Sequence, residues 1–335
     1  MRAASIKDVA NHAGVAVGTV SNVLNYPERV ASKTRDRVQA SIAELGFVRN
    51  DVARQLRAGH SRTIGLVVLD IGNPFFSSLA RAAEDAAAEG GNAVVLGNSG
   101  HDARRELHYI DLFEEQRVQG VLISPVKDIT ARLKALTARG TKVVLVDSPA
   151  LEGTFSSVSV DDVSGGYLAT KHLLDIGRRR IAFVAGPQQF HQVTDRLTGA
   201  MRAVAEFADA TLEVLQAADL TVLGGRGIGD TLTGRDPDRL PDGLFCANDL
   251  LALGVMQSLT MMHTLRIPED VALVGYDDID FAASAVVPLT SVRQPTTLIG
   301  RTAIELLTEQ LESPEAGPRS VVFEPELVVR ASTGS

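Results

Sequence analysis

The segment Ser5-Ile6-Lys7-Asp8-Val9-Ala10-Asn11-His12-Ala13-Gly14-Val15-Ala16-Val17-Gly18-Thr19-Val20-Ser21-Asn22-Val23-Leu24-Asn25 reads as two short helices joined by a tight turn. Ser5 with an acid three residues later is a helix start. Ile6, Val9, Ala10 and Ala13 then form one apolar stripe. Gly14 stops the helix and permits the turn. The second helix spans roughly Val17 to Asn25, with Val20, Val23 and Leu24 inward. Gly18, Ser21, Asn22 and Asn25 share the opposite, small and polar face. A third helix is expected from about Ser32 to Leu45, with Val38, Ile42 and Leu45 inward and Lys33, Arg35 and Arg37 outward. Such a helix pair in a basic unit describes a helix-turn-helix, whose second helix lies in the DNA major groove.

Charge supports this division. Residues 1–62 carry ten Lys+Arg against five Asp+Glu, whereas the whole 335-residue chain has net charge −8. A basic head on an acidic body implies that the head alone meets a polyanion. The bland alternative is a three-helix interaction module.

Beyond Thr63 the pattern changes to short apolar runs alternating with helical stretches. Strands are expected at Ile64–Leu69, Ala93–Leu96, Gly120–Ile123, Lys142–Val146, Ile181–Val184, Leu244–Cys246, Val271–Val274 and near Val321–Val329. Helices are expected at Phe75–Glu89 and Ala103–Gln116 among others. The alternation implies an α/β body with parallel sheets, and the number of strands fits two sheets better than one. Ligands of such folds bind at the carboxyl ends of strands. Those positions hold Asp70, Asn73-Pro74-Phe75-Phe76, Asn98, Asp147, Phe190, Gln192, Arg196, Asn248-Asp249 and Tyr276-Asp277-Asp278. Carboxylates, amides, one arginine and a few aromatics suit a polyhydroxylated ligand. Each residue alone has a plainer explanation as a turn or cap.

Other classes find little support. A hydrophobic fraction of 45% with 22% charged residues is that of a globular protein. No apolar run approaches the ~20 residues of a membrane span, and no signal peptide is visible. The single Cys246 makes no internal disulfide or cysteine-based metal cluster, so a cytoplasmic setting is expected. The glycine-rich Gly224-Gly225-Arg226-Gly227-Ile228-Gly229 lacks the glycine at 230 that a dinucleotide fingerprint needs. No phosphate-binding loop, zinc-protease motif or close pair of metal-ligating histidines is present. Neither a metal, a cofactor nor a catalytic residue is expected.

Ser5-Ile6-Lys7-Asp8-Val9-Ala10, Gly18-Thr19-Val20-Ser21-Asn22-Val23-Leu24-Asn25, Ile42-Ala43-Glu44-Leu45-Gly46-Phe47 and Asn50-Asp51-Val52-Ala53-Arg54-Gln55-Leu56 resemble the head of the LacI/GalR family of transcription regulators. Asn73-Pro74-Phe75-Phe76, Asp195-Arg196-Leu197-Thr198-Gly199, Cys246-Ala247-Asn248-Asp249 and Val274-Gly275-Tyr276-Asp277-Asp278 extend the resemblance through the body. It implies a helix-turn-helix domain over 1–48, a hinge helix over 49–61, and an effector-binding and dimerisation domain over 62–330. That last domain would resemble periplasmic sugar-binding proteins, with an N-lobe of about 62–160 and 291–320 and a C-lobe of about 161–290 and 321–330.

The resemblance also implies roles. Val17, Gly18 and Asn22 would touch bases, with Thr19 and Ser21 near phosphates. Ser5, Lys7, Asn25, Lys33 and Thr34 complete the candidate DNA set in the head, and Asn50, Ala53 and Leu56 in the hinge. Many members carry arginine at the position of Asn22, which alters base preference, because asparagine suits adenine. Ala16 departs from the usual serine or threonine and lacks a capping hydroxyl. Two hinge helices would pair on a pseudo-palindromic operator and push Leu56 into the minor groove. Effector contacts would fall to Phe75, Phe76, Asp147, Phe190, Gln192, Arg196, Asn248 and Asp277, with Asp70 and Gln294 as further candidates. The expected molecule is a homodimeric repressor controlled by a small molecule, a sugar by first expectation. With no heptad zipper after the last strand, a dimer is expected rather than a tetramer. Alternatives are a member answering to a phosphorylated carrier protein or a non-sugar metabolite, and a sugar-binding protein with no DNA function. The stretch Thr221–Arg235 aligns poorly and carries no role over.

Overall fold

A computed structural model of the chain describes residues 4–47, 61–150, 153–187, 189–261 and 265–334. It divides into two compact units, Met1–Ser61 and Arg62–Ser335. The hinge candidates Asn50, Ala53 and Leu56 lie outside the described residues.

In the first unit, helices span Ile6–Ala13, Val17–Asn25 and Ser32–Glu44. Ser5 and Asp8 form a reciprocal capping box, and Gly14 closes the first helix in the left-handed conformation at φ 61°. Ala16 caps the second helix without a side-chain bond, as its methyl requires. Val9, Ala10, Ala13, Val20, Val23 and Val38 bury together as the core of this small unit.

The second unit has two six-stranded sheets. The first takes β1 (Thr63–Val68), β2 (Ala93–Asn98), β3 (Gly120–Ile123), β4 (Lys142–Val146), β5 (Ser156–Val160) and β11 (Ser320–Phe323), in the order β11-β5-β4-β3-β1-β2. The second takes β6 (Arg180–Ala185), β7 (Thr211–Gln216), β8 (Gly243–Cys246), β9 (Ala272–Asp277), β10 (Thr290–Arg293) and β12 (Glu326–Val328), in the order β12-β10-β9-β8-β6-β7. Every pairing is parallel except β10 with β12. Their central strands are apolar and buried on both faces, as helix-covered parallel strands must be.

The chain crosses between lobes three times, and two crossings fall later than expected. β10 runs to Arg293 inside the second sheet, and β11 places Ser320–Phe323 in the first. The single last strand expected near Val321–Val329 is two strands, one in each lobe. Pro325 has no N–H to donate and separates them at the crossing.

Glycines set the closest helix crossings. A Cβ on Gly166, in helix Asp162–Asp175, would stand 2.0 Å from the carbonyl oxygen of Arg196 in helix His191–Val204. A Cβ on Gly225, in helix Val222–Thr233, would stand 2.1 Å from that of Leu251 in helix Asp249–Met261. The glycine-rich stretch from Gly224 thus packs one helix on another, and Thr221 caps it through Gly224 N.

Candidate ligand cleft and DNA-facing helix

Strand ends from both lobes converge on one cleft. Leu69 and Asp70 follow β1, His101 follows β2, and Asp147 follows β4. Asn73 caps helix Pro74–Glu89 by accepting from Phe75 N, which places Phe75 and Phe76 in the first turn. Phe190, Gln192, Val193 and Arg196 come from the start of helix His191–Val204. Leu220, Asn248, Asp277 and Gln294 come from the ends of β7, β8, β9 and β10. The space between these residues, open solvent at its mouth included, is ≈ 490 Å³. All ten residues proposed for the effector from sequence line it. Asn73, His101 and Leu220 line it as well. Asn73 stands among the strand-end positions of the sequence but outside the ten effector candidates, and nothing in the sequence singles out His101 or Leu220.

The bonds inside the cleft tie the lobes together. Gln192 Nε2 donates to the Asp147 carbonyl at 3.0 Å and to Asp147 Oδ2 at 2.8 Å. Asn73 Nδ2 donates to Asp277 Oδ2 at 3.2 Å, and Gln294 Nε2 to Asp277 Oδ1 at 2.8 Å. His101 meets Phe190 with ring centroids 4.6 Å apart. Arg196 is buried, donates from Nε to Asp162 at 2.7 Å and from a terminal nitrogen to the Ala247 carbonyl at 2.6 Å, and lies 3.6 Å above the Tyr276 ring centroid. Asn248 caps the next helix through Leu251 N and donates to the Leu220 carbonyl.

Burial dominates the titration of these groups. It raises Asp147 to about 8, reinforced by Asp162 and opposed by Arg196 and Gln192. It raises Asp277 to about 6, against the pull of Arg196, Asn73 and Gln294. It opposes the charge on Arg196, but Asp162 and the other anions outweigh it and hold the guanidinium above its ordinary value. It lowers His101, while Asp70 and Asp219 act the other way. Asp147 and Asp277 also hold left-handed backbone, φ 53° and 106°, uncommon for non-glycine residues and a mark of positions fixed by their surroundings. Among the described residues, Asp147 Oδ1, Gln294 Oε1 and His101 Nδ1 are buried here without a hydrogen-bond partner.

In the first unit, Val17, Gly18 and Asn22 are exposed on the second helix, with Thr19 and Ser21 half-buried beside them. A Cβ on Gly18 would meet nothing within 4 Å, so the backbone there is bare. Lys7 and Lys33 are exposed and Thr34 is half-buried. Two candidates serve their own helices: Ser5 bonds Asp8, and Asn25 Nδ2 donates to the Ser21 carbonyl at 2.8 Å and to Ser21 Oγ at 3.2 Å.

A basic helix-turn-helix unit joined to a two-lobed body with a polar interlobe cleft defines a ligand-responsive DNA-binding regulator. Residues 5–50 match the family described as bacterial regulatory proteins, lacI family, and residues 170–333 match the periplasmic binding protein-like domain. The HTH-type transcriptional repressor PurR of Vibrio campbellii is 34% identical over 334 residues, with 98% of each chain covered. That of Aliivibrio fischeri (strain MJ11) is 33% identical over 339 residues, again with 98% of each covered. A transcriptional regulator CelR–cellobiose complex aligns at 34% identity and TM-score 0.71 over 98% of this chain and 99% of its own. The lac repressor dimer bound to operator and the anti-inducer ONPF aligns at 26% identity and TM-score 0.84 over 100% of both chains. This chain belongs to the lacI family of bacterial regulatory proteins. It is a DNA-binding transcription regulator whose body holds a small-molecule effector site. No helix among the described residues is long and apolar enough to cross a membrane.

Proposed function

We propose that the chain is a cytoplasmic, homodimeric repressor whose cleft takes a sugar or sugar derivative and thereby sets its affinity for a pseudo-palindromic operator. Val17, Gly18 and Asn22 read base edges in the major groove, while Lys7, Thr19, Ser21, Lys33 and Thr34 fix the head on phosphates. Leu56, with Asn50 and Ala53, belongs to a hinge that wedges the minor groove at the operator centre. Homodimerisation is supported by the lac repressor dimer among the structural relatives.

The observation that carries the effector class is the set of orphaned polar atoms in the cleft. Asp147 Oδ1 and Gln294 Oε1 are buried oxygens with no hydrogen-bond partner. A buried acceptor left unpaired costs about 1–3 kcal/mol, so hydroxyl donors on a ligand are the natural partners. Phe75, Phe76 and Phe190 offer apolar faces for the C–H side of a sugar ring. The complexes with cellobiose and, in an Enterococcus faecium regulator of 31% identity and TM-score 0.74 covering 81% of this chain and 98% of its own, with ribose, agree with this class. The test is a thermal-shift screen of purified protein against sugars, nucleosides and purines. A sugar that raises the melting temperature and changes operator affinity supports the assignment. A purine or nucleoside acting alone refutes it.

A further inference from the structure

We infer that the cleft is built to refuse anions: its occupant is an uncharged or aminated polyol, and phosphate esters and uronates of the same skeleton are excluded. This deepens the assignment of the cleft to a sugar and rests on it. Three lining residues carry carboxyl groups, Asp70, Asp147 and Asp277, and Arg196 is the one arginine or lysine among the described lining residues. Two of its three guanidinium nitrogens are already engaged. Nε serves Asp162, a terminal nitrogen serves the Ala247 carbonyl, and that same nitrogen lies 3.9 Å from Asp277 Oδ1.

Each lining amide nitrogen already makes at least one hydrogen bond. Gln192 donates to Asp147, Asn73 and Gln294 to Asp277, and Asn248 to the Leu220 carbonyl. What the cleft leaves over is two buried oxygens without a partner, the amide acceptor Gln294 Oε1 and Oδ1 of the Asp147 carboxyl. An anion brings acceptors and no donors, and it sits beside the carboxylates of Asp70 and Asp277. Such juxtaposition is strongly unfavourable across a desolvated contact. A hydroxyl or ammonium group brings donors and meets both demands. Anion sites use uncommitted guanidinium forks or helix N-termini. The N-terminal turns of the helices starting at Pro74 and Asp249 are capped from within, by Asn73 and Asn248, and the turn starting at His191, which has no side-chain cap, stands near the carboxyls of Asp162 and Asp195.

The test uses the full-length protein near neutral pH. Glucose, galactose, mannose and ribose are each measured by calorimetry beside their phosphate esters, and the hexoses beside their 2-amino and uronate forms. The expected result is that at least one neutral or amino form binds, with its phosphate and uronate counterparts weaker by about a hundredfold or more. A phosphate ester or uronate binding as tightly as its parent overturns the inference and leaves the sugar assignment standing. No binding by any form, with a nucleoside or purine binding instead, overturns the sugar assignment and the inference with it. Asp70→Asn, at the partly exposed rim, removes one negative charge and narrows the ratio of neutral to phosphorylated affinity several-fold. An unchanged ratio in that variant contradicts the electrostatic basis.

Discussion

Gln192 reaches across the interlobe cleft to Asp147 and donates one amide group to both its carbonyl oxygen, at 3.0 Å, and its Oδ2, at 2.8 Å. Gln192 stands on the first turn of a C-lobe helix, and Asp147 follows the N-lobe strand β4. The bond therefore reports the separation of the lobes at the cleft. Gln192→Ala leaves the buried Asp147 carboxyl without that donor, a loss of about 1–3 kcal/mol. Effector affinity should fall about tenfold in titration calorimetry, while operator binding without effector stays near the parent value. Equal effector affinity would remove the pair from the clamp.

Arg196 and Asp162 form a buried ion pair at 2.7 Å, with both side chains below one-tenth exposed. Removing one partner of a buried pair costs about 3–5 kcal/mol, because the other charge is left without compensation. Arg196→Ala should lower the melting temperature of the ligand-free protein and abolish the effector response. Arg196→Lys keeps the charge but loses the Nε bond and the flat stack on Tyr276, so it should fold and still respond poorly. Full responsiveness of the lysine variant would show that charge alone suffices.

Asp147 links stability to pH. Its folded-state value, about 8, lies above the ordinary aspartate value of 3.8, so the folded chain holds this proton more tightly than the unfolded one. The resulting stability is complete below about pH 4 and is lost as pH rises toward 8. Asp277, at about 6, loses its share lower in the same range, and Glu106, raised by burial to about 7, loses its share in between. Thermal melts should therefore fall in midpoint between pH 6.5 and 8.5. Asp147→Asn should flatten that slope without removing it. Superimposable slopes would show that Asp147 titrates normally.

Asn22 is exposed in the middle of the second head helix. Its amide can pair with the N6 and N7 of adenine, whereas arginine pairs with guanine, a preference of about 1–3 kcal/mol per contact. Selection from a random-sequence duplex pool should give a half-site that changes at one position in Asn22→Arg. An unchanged motif would take Asn22 out of the readout. Affinity for the selected duplex should fall steeply with salt as the head's cations release condensed counterions.

The sequence disclosed most where one physical demand acts locally. The capping pair Ser5 and Asp8, the left-handed Gly14 and the apolar stripes of the head each come from neighbours within a turn, and the three head helices form at nearly the expected residues. Central strands of the body were legible as unbroken apolar runs. β5, Ser-Ser-Val-Ser-Val, was not: it is fully buried with three serines, one of which bonds Ser320 Oγ at 3.0 Å from the neighbouring strand. That compensation lies 163 residues away. β7 escaped notice for the opposite reason, since an exposed edge strand keeps polar residues. In the cleft, strand-end logic gathered Asp70, Asp147, Asn248 and Asp277 because parallel sheets bring those ends together. His101 gave no such signal. It reaches the cleft through a left-handed backbone turn at φ 61°, followed by its packing on Phe190 from the other lobe.

The central claim is that occupancy of the cleft in one unit governs DNA binding by the other. The direct measurement is fluorescence anisotropy of a selected operator duplex titrated with full-length protein, with and without the sugar found by thermal shift, in parent and Arg196→Lys protein. The account predicts that the sugar changes operator affinity by at least about fivefold, the lower end of usual allosteric coupling, and that the variant loses the change while still binding the duplex. Identical operator curves with the parent cleft saturated would contradict it.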